Sequence, residues 1–298
     1  MKILVVGDFH GEFPSKFNKI INKEKMDLVV SLGDYPPFHY RKLWFKHCYG
    51  KDVELWEIIG KSKYKKLVMK DLKMAENALK KLNRVKVPVF TVLGNIDWPS
   101  FDDVADDKKN AKTMPNFDRK DKLAKIMKKY KNINRFDYKS LRFGDYFFIG
   151  MRGHSFPGKV KSKAFRRHKK ILEKLFKKFR KENKDGKVIF VSHNIAYNTK
   201  LDRLSLKASK FALKSAGKKH TKILKIRKRH YGSKLARRII DKYHPSLHLG
   251  GHIHESLGKD KLKRTIIINP GAVHEGKAAI VEINEGKIKK IKFLGRKR

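Results

Sequence analysis

Short apolar runs rich in β-branched residues recur along the chain, and five of them end close to polar residues. These runs span residues 3–6, 28–32, 87–93, 188–191 and 247–249. Continuous apolar stretches of this length, bounded by turn residues, are typical of strands that are buried on both faces. The pattern therefore predicts a buried sheet core in which each of these strands carries polar residues at its carboxyl end.

Segments with helical periodicity separate these strands. Apolar residues recur with the spacing of an amphipathic helix in five segments, which predict helices over residues 17–25, 65–82, 117–130, 164–181 and 234–243. Ser233 precedes the last of them and is expected to be its N-cap. Further strands are predicted over residues 143–150, 265–268, 278–283 and 288–293. The alternation of strands and helices indicates an α/β fold.

The chain shows no linker rich in Pro, Gly or Ser and no internal repeat. The polar strand ends are spread from residue 8 to residue 254, so a domain boundary between them would split the group. We therefore predict a single domain over residues 1–298, with insertions at about residues 36–82 and 195–230. The part of the second insertion over residues 201–229 is dense in Lys and Arg and could become ordered on an anionic partner.

The polar residues at the strand ends have the side chains that divalent transition metals prefer. In an open α/β sheet, ligands bind in the crevice at the carboxyl ends of the strands. A single histidine there is usually structural, and a Gly-Asp pair is usually a turn. Five such strand ends in one chain instead favour a shared metal site. Its candidate residues are Asp8, His10, Asp34, Asn95, Asp97, His193, His252 and His254.

The order of these motifs resembles that of the calcineurin-like metallophosphoesterases. The family pattern reads D-x-H, G-D, G-N-H-D, H and G-H-x-H, and the chain matches it at residues 8–10, 33–34, 94–97, 193 and 251–254, except that Ile96 replaces a histidine. The resemblance implies a four-layer α/β/β/α sandwich, here with basic helical insertions. The run Asn-Pro-Gly-Ala at residues 269–272 is most similar to small prokaryotic phosphodiesterase-type members.

The resemblance also implies two divalent metal ions that activate a water molecule and hold phosphate oxygens. Asp34 would bridge the two ions. Asp97 would orient a ligand or order the Asn95 loop, so that Asp34, Asn95, Asp97 and His193 all serve catalysis. Mn²⁺ is the first candidate metal, and Fe, Ni²⁺, Zn²⁺ and Co²⁺ also suit such ligands. The other ligands implied are Asp8, His10 and His254 for the first ion, and Asn95, His193 and His252 for the second.

Ile96 stands where the family has a histidine that serves as general acid or stabilises the transition state. Isoleucine can do neither, so the chemistry favours a good leaving group or a replacement histidine, for which His154 and His230 are candidates. Either of these could equally be a structural or surface residue. Arg152, also at a strand end, could bind a phosphate oxygen in bidentate fashion or could be one more surface arginine.

The charge of the chain points to polyanionic partners. Lys and Arg number 75 against 29 Asp and Glu, a formal net charge of +46. The excess is densest over residues 157–242, which hold 30 basic and 5 acidic residues. Such a field attracts nucleic acid or ribonucleoprotein. The alternative is a lysine-rich proteome in which every surface is basic, and the positive excess elsewhere in the chain supports it.

Cysteine and hydropathy indicate the compartment. Cys48 is the only cysteine, so no intramolecular disulfide can form, and a reducing environment is expected. No apolar run approaches the roughly 20 residues of a membrane span, and the first motif leaves no room for a signal peptide. We therefore expect a cytoplasmic protein without a membrane partner.

An aromatic cluster follows the Gly-Asp motif, in residues 38–59. It contains Tyr40, Trp44, Phe45, Tyr49 and Trp56. Two interpretations are open. The cluster could be a lid or a wall on which bases stack, or it could be the small core of an insertion.

These features together predict a metal-dependent phosphoesterase, more specifically a phosphodiesterase that acts on nucleotides or nucleic acid. The alternative is a nucleic-acid- or ribonucleoprotein-binding module on a phosphoesterase scaffold, which Ile96 and the basic central segment favour. A nuclease subunit of a repair complex is a third hypothesis, and the missing histidine argues against it.

Overall fold

Two six-stranded sheets form the centre of the molecule. The computed structural model describes residues 1–49, 51, 53–97, 115–119, 121–154, 162–206, 209–210 and 229–295. The first sheet has the strand order β12-β11-β1-β2-β3-β4, and the second has the order β5-β6-β7-β8-β10-β9. The strands are β1 Lys2–Val6, β2 Leu28–Ser31, β3 Val89–Thr91, β4 Ile133–Arg135, β5 Ser140–Phe143, β6 Tyr146–Met151, β7 Val188–Asn194, β8 Leu247–Gly251, β9 Gly258–Leu262, β10 Thr265–Asn269, β11 Ala278–Asn284 and β12 Lys287–Leu294.

The five strands that precede the polar motifs run parallel within their own sheets. β1, β2 and β3 are parallel neighbours in the first sheet, and β7 and β8 are parallel neighbours in the second. Antiparallel strands lie at three of the four sheet edges, with β12 beside β11, β5 beside β6 and β9 beside β10. The fourth edge strand, β4, is parallel to β3. Because parallel strands end at the same edge, the polar motifs of each sheet meet there.

Alternating side chains divide the core into three hydrophobic layers. In β1, Leu4 and Val6 belong to a layer shared with helices of the first half, whereas Ile3 and Val5 belong to a layer between the two sheets. The outer face of the second sheet forms a third layer with helices of the second half. Three apolar layers separate four layers of secondary structure, so the predicted α/β/β/α sandwich is confirmed.

The helices follow the predicted periodicity except where a capping residue interrupts it. They are α1 Lys16–Lys23, α2 Arg41–His47, α3 Leu55–Ile59, α4 Lys61–Asn83, α5 Lys122–Met127, α6 Lys163–Lys178, α7 Arg180–Lys184 and α8 Lys234–Tyr243. The prediction of one helix over residues 117–130 is wrong. A 3₁₀ turn, Asn116–Arg119, precedes α5, and the Asp121 side chain accepts the Ala124 N–H as a new N-cap. The helix predicted over residues 164–181 likewise divides at Phe179 into α6 and α7.

The sequence pattern missed three short edge elements. β4 has three residues, and β5 and β9 carry exposed polar side chains that hide their strand character. The strand predicted over residues 87–93 is shorter, because β3 begins only after Pro88, which lacks an N–H. In the described part of the chain, no helix is long and apolar enough to cross a membrane.

The predicted insertions differ in how much of them the structure describes. The first, at about residues 36–82, carries α2, α3 and α4, and α4 packs on the first sheet. Most of the second lies outside the described residues, since residues 207–208 and 211–228 are not described. The single-domain organisation stays a prediction.

Buried His248 makes the stability of the fold depend on pH. The Ser192 hydroxyl donates to the Asn194 carbonyl, 2.7 Å away, so it must accept from His248 Nε2 at 2.8 Å. In the neutral ring, Nδ1 therefore carries no proton, and it is buried without a hydrogen-bond partner. Burial lowers the pKa of His248 from 6.5 to about 3. Protonation of the folded protein is thus strongly disfavoured.

We expect His248→Gln to reduce the loss of stability on acidification. Between pH 6.5 and pH 3, His248 is protonated in the unfolded chain but stays neutral in the folded protein. The free energy of unfolding therefore falls as the pH falls. The slope is about 1.4 kcal/mol per pH unit, or about 2 kcal/mol between pH 6.5 and 5. Urea unfolding of both proteins at pH 7.5 and 5 measures this difference. Equal losses in the two proteins would contradict it.

Candidate metal centre

Four of the candidate ligands have a left-handed backbone conformation. The φ angles are 55° at Asp8, 45° at His10, 60° at Asp34 and 73° at His252. Residues with side chains rarely adopt this region, and such strain persists where the surroundings impose it, often at functional sites. Backbone hydrogen bonds impose it here, because the Asp8 and His10 N–H groups donate to the carbonyls of Gly33 and Asp34, both at 2.9 Å. The first two polar motifs are therefore held side by side.

Asp8, His10 and His254 form one group of convergent side chains. Nε2 of His254 lies 3.2 Å from Asp8 Oδ1 and 3.2 Å from His10 Nε2. Burial disfavours the charge of Asp8, but His254, together with His193 and His10, outweighs it and holds the pKa of this carboxyl well below its usual range. Burial and His254 lower the pKa of His10. Burial also disfavours the charge of His254, but the Asp8 and Asp34 carboxylates raise its pKa. The group thus combines an ionised carboxylate with a neutral His10 ring and a His254 ring whose charged form the carboxylate favours.

Asp34, Asn95, His193 and His252 form a second group. His193 Nε2 lies 2.8 Å from Asn95 Oδ1, 3.2 Å from His252 Nδ1 and 3.4 Å from Asp34 Oδ2. Nδ1 of His193 must donate to the Leu32 carbonyl at 2.8 Å. In the neutral ring, Nε2 therefore presents a lone pair to its neighbours.

The donor atoms of both groups fit metal ions. A bare imidazole nitrogen, an amide oxygen and a carboxylate oxygen repel one another at these distances unless a proton or a cation lies between them. Three candidate ligands of each group have donor atoms within 4.8 Å of one another, namely Asp8, His10 and His254 in one and Asp34, His193 and His252 in the other. Nitrogen and oxygen donors in this combination suit first-row divalent metals.

Asp34 lies beside both groups. Burial raises the pKa of Asp34, and the nearby Asp8 charge raises it further. Oδ1 of Asp34 accepts the Ile96 N–H at 3.1 Å, and Oδ2 faces His193. Gly94 leaves the necessary space, because a Cβ at this position would lie 1.9 Å from Asp34 Oδ1. The Gly-Asp and Gly-Asn motifs thus fit together as one unit.

Asp97 joins these two motifs through backbone hydrogen bonds. Its carboxylate accepts the N–H groups of Asp34 at 2.8 Å, Tyr35 at 2.7 Å and Gly94 at 2.6 Å. Burial, together with the Asp34 charge, raises the pKa of Asp97 to about 7, whereas the three N–H groups favour the ionised form. Asp97 therefore positions Asp34 and the Asn95 loop.

We expect Asp97→Asn to weaken metal binding by roughly 10- to 100-fold, as is typical when a group that supports a metal ligand is lost. Asparagine offers one acceptor oxygen to three N–H donors and turns its NH₂ toward at least one of them. Asp202→Asn is the matched control. Asp202 is also buried and accepts backbone N–H groups, from Asn198 and Thr199, but it pairs with His230.

Both variants should lower the free energy of unfolding by about 1–3 kcal/mol, because each leaves buried N–H groups without an acceptor. Only Asp97→Asn should change the metal affinity, measured by isothermal titration calorimetry with Mn²⁺ and Zn²⁺. Equal affinities in Asp97→Asn and Asp202→Asn would show that the Asp97 contacts do not position the site.

The three candidate substrate-binding residues have different surroundings. Arg152 is buried directly after β6, and the following Gly153 N–H donates to Leu93, two residues before Asn95. His154 Nε2 lies 2.8 Å from Ser233 Oγ, and Ser233 caps α8 as predicted by accepting the Ala236 N–H. His230 lies elsewhere, with Nδ1 2.6 Å from Asp202 and Nε2 3.3 Å from Arg203. Substrate binding by Arg152, His154 and His230 stays a prediction.

Two residues near the centre did not emerge from the sequence. His274 Nδ1 donates to the Asp8 carbonyl at 2.8 Å, and its ring meets the His10 ring edge-on at 4.8 Å. The position of His274 just after the Asn-Pro-Gly-Ala run was the available signal. The Arg41 guanidinium interacts electrostatically with both His10 and His254, so it lies near the centre. Nothing in the sequence marks Arg41 among 75 basic residues.

Known proteins resemble the chain in sequence and in fold. A sequence model of the calcineurin-like phosphoesterases matches residues 1–256. An uncharacterised protein of Methanocaldococcus jannaschii is 27% identical over 273 residues, covering 91% of this chain and 88% of that protein. The crystal structure of the protein TT1561 of Thermus thermophilus superposes with a TM-score of 0.52 at 13% identity, covering 97% of this chain and 96% of that one.

A second solved structure shares the fold. It is a dimetal phosphatase from Danio rerio, which superposes with a TM-score of 0.50 at 11% identity and covers 99% of this chain and 96% of that one. Similarity at this level of identity extends to the fold alone.

Proposed function

The chain belongs to the calcineurin-like phosphoesterase family, and we propose that it is a phosphodiesterase that hydrolyses nucleotide or nucleic-acid esters with the help of two divalent metal ions. The observation that carries the proposal is the convergence of nitrogen and oxygen donor atoms on two adjacent points, around His254 and around His193. The family name supports hydrolysis of phosphoric esters in general. The preference for nucleotide diesters is proposed from the charge of the chain and from Ile96.

The proposed ligands form two groups, each of which would bind one metal ion. Bound divalent ions would polarise the phosphoryl oxygens and lower the pKa of a water molecule. Asp34 faces both groups and would set the distance between them. Asn95 contributes a neutral oxygen, which limits the negative charge of the second group. The proposed ligands are Asp8, His10 and His254 in the first group, His193, His252 and Asn95 in the second, and Asp34 in both.

The proposed diester preference rests on charge and on Ile96. A phosphodiester with a good leaving group needs no proton from the enzyme, and the side chain of Ile96 offers none. The net charge of +46 concentrates polyanions near the protein and speeds their encounter with it. The charge suits a nucleotide or nucleic-acid substrate, whereas Ile96 favours an ester whose leaving group needs no proton.

Hydrolysis after metal removal tests the proposal. The protein is stripped with a chelator and assayed with Mn²⁺, Fe²⁺, Co²⁺, Ni²⁺ or Zn²⁺ on two substrates, bis-p-nitrophenyl phosphate and p-nitrophenyl phosphate. We expect turnover only after metal is restored, and a higher kcat/KM on the diester. Absence of turnover with every metal would overturn the proposal, and a preference for the monoester would overturn its diester part.

Ile96 also favours a second candidate function, a nucleic-acid-binding module without strong catalysis. The two functions differ in their response to Asp34→Asn. A binding module keeps its affinity for RNA after this change and shows a steep dependence of affinity on salt. A phosphodiesterase loses turnover whether or not it binds RNA.

A further inference from the structure

The aromatic cluster after the Gly-Asp motif divides into a buried part and a half-exposed part. Tyr40 and Trp56 are buried in the core beneath α4, and Trp44 is half-buried and packs against that core. Phe45 and Tyr49 are half-buried, and neither belongs to a hydrophobic core cluster among the described residues. The buried rings agree with the small core of an insertion, whereas the lid or base-stacking wall stays a prediction for the other two.

Phe45 and Tyr49 present a stacked aromatic surface with a cation at its edge. Their ring centroids are 4.9 Å apart, and the planes are inclined by only 29°. The Arg41 guanidinium lies over Phe45, 5.4 Å from the ring centroid. The helix that carries Arg41 and Phe45, α2, has no buried residue. Trp44, which packs against the core, contacts both rings edge-on, with its centroid 5.3 Å from that of Phe45 and 6.1 Å from that of Tyr49.

The surface lies next to the metal centre. The Gly11 N–H donates to the Tyr35 carbonyl at 2.7 Å, so the segment leading to α2 runs beside the His10 loop. His39 anchors it, with its N–H and Nδ1 contacting Asp71 of α4 at 3.1 and 2.6 Å. Asp34 and Glu255 act electrostatically on Arg41. Arg41 therefore lies between the Gly-Asp motif and the loop after His254.

The other end of α2 faces the second half of the molecule. Burial and the nearby Tyr49 raise the pKa of Tyr231 to about 12. Tyr231 lies just before the N-terminus of α8, whose cap Ser233 contacts His154. The segment thus has Arg41 near the metal centre and Tyr49 near Tyr231 of the second half.

We propose that Arg41, Phe45 and Tyr49 form the nucleoside-binding part of the site, in which Arg41 binds a non-bridging phosphate oxygen and the base stacks on the aromatic pair. The inference rests on the proposed phosphodiesterase function and names its substrate class. Guanidinium groups bind phosphate oxygens through paired N–H donors. Aromatic rings stack on any base, so recognition would tolerate different nucleotides.

Two p-nitrophenyl esters separate base recognition from chemistry. Thymidine 5′-(p-nitrophenyl phosphate) carries a base, whereas methyl p-nitrophenyl phosphate has the same leaving group and no base. We expect Phe45→Leu and Tyr49→Leu to lower the ratio of their kcat/KM values about tenfold, a typical effect of losing one base–aromatic stack. An unchanged ratio in both variants would overturn the inference. Loss of all hydrolysis in the wild type would instead count against the proposed function.

Arg41→Gln should lower kcat/KM for both esters about tenfold, because the guanidinium acts on the phosphate that they share. Arg142→Gln is the matched control. Arg142 also lies over a phenylalanine, 5.6 Å from the Phe147 centroid, but on the edge strand β5. Arg142 pairs with the beginning of β6, whereas the end of β6 leads to Arg152. Equal losses in the two arginine variants would overturn the role of Arg41.

Calorimetric titration with thymidine 5′-monophosphate gives a readout that needs no turnover. We expect Phe45→Leu to weaken binding about tenfold, and Arg142→Gln to leave it at the wild-type value. Binding that is equally tight in wild type and Phe45→Leu would overturn base stacking here, even in a protein that hydrolyses neither ester.

Discussion

Asp34→Asn should lower kcat/KM for bis-p-nitrophenyl phosphate by roughly 10³-fold, which corresponds to about 4 kcal/mol of transition-state stabilisation. Asp34 is the carboxylate that lies beside both groups of the centre, 3.4 Å from His193 and within the electrostatic reach of Asp8. Asparagine has nearly the same shape and keeps an oxygen for the Ile96 N–H. The variant therefore removes the charge and spares the local fold.

Two further measurements make this result specific. Asp202→Asn neutralises another buried aspartate, which pairs with His230, and it should keep kcat/KM within a few-fold of the wild type. Elemental analysis after dialysis against Mn²⁺ should show less than the full metal content in Asp34→Asn. If Asp34→Asn retained both its metal content and its activity, Asp34 would not be a metal ligand.

The candidate ligands that could be predicted from the sequence are those that directly follow a buried strand. A metal ligand at the carboxyl end of a parallel strand is fixed by the strand that precedes it, so apolar runs followed by Asp, Asn or His reveal it. The pairing of Asp8 with His10 and His254, and of Asp34 with His193 and His252, agrees with the expected grouping. The roles of these residues as ligands stay a prediction.

What could not be predicted depends on contacts between distant segments. Arg41 reaches the centre because His39 is anchored to Asp71, 32 residues along the chain. His274 contacts Asp8 across 266 residues. Such neighbours leave no periodicity in the sequence, because periodicity reports the face of one element and not its tertiary partners. Asp121 shows the same limit locally, since one side-chain hydrogen bond to Ala124 divides a helix that the apolar spacing predicts as continuous.

Ile96 occupies the position of a histidine in the motif that the chain resembles, and backbone contacts fix its loop. The Ile96 N–H donates to Asp34 Oδ1 at 3.1 Å, and Asp97 binds the surrounding backbone. The Ile96 side chain is half-buried beside Asn95. These contacts hold the backbone at position 96 beside Asp34, a proposed metal ligand.

Ile96→His should therefore raise kcat/KM for a thymidine dinucleotide by roughly 100-fold, the lower range for a positioned general acid. The alkoxide leaving group of a dinucleotide needs a proton, whereas nitrophenolate leaves without one. The rate on bis-p-nitrophenyl phosphate should consequently change by only about twofold, because general acid catalysis assists poor leaving groups most. Ile96→Asn, which is polar but cannot supply a proton at neutral pH, is the control and should not reproduce the gain.

The pH dependence tests whether the protonated imidazole is responsible for the gain. A protonated histidine adds an alkaline limb to the pH profile, so the gain of Ile96→His on the dinucleotide should disappear as the pH rises above the pKa of the new imidazole. An equal gain with Ile96→Asn would assign the effect to hydrogen bonding alone. A wild type that already cleaves the dinucleotide as fast as Ile96→His would mean that another residue supplies the proton, and substitution of the two candidate histidines, His154→Gln and His230→Gln, would then identify it.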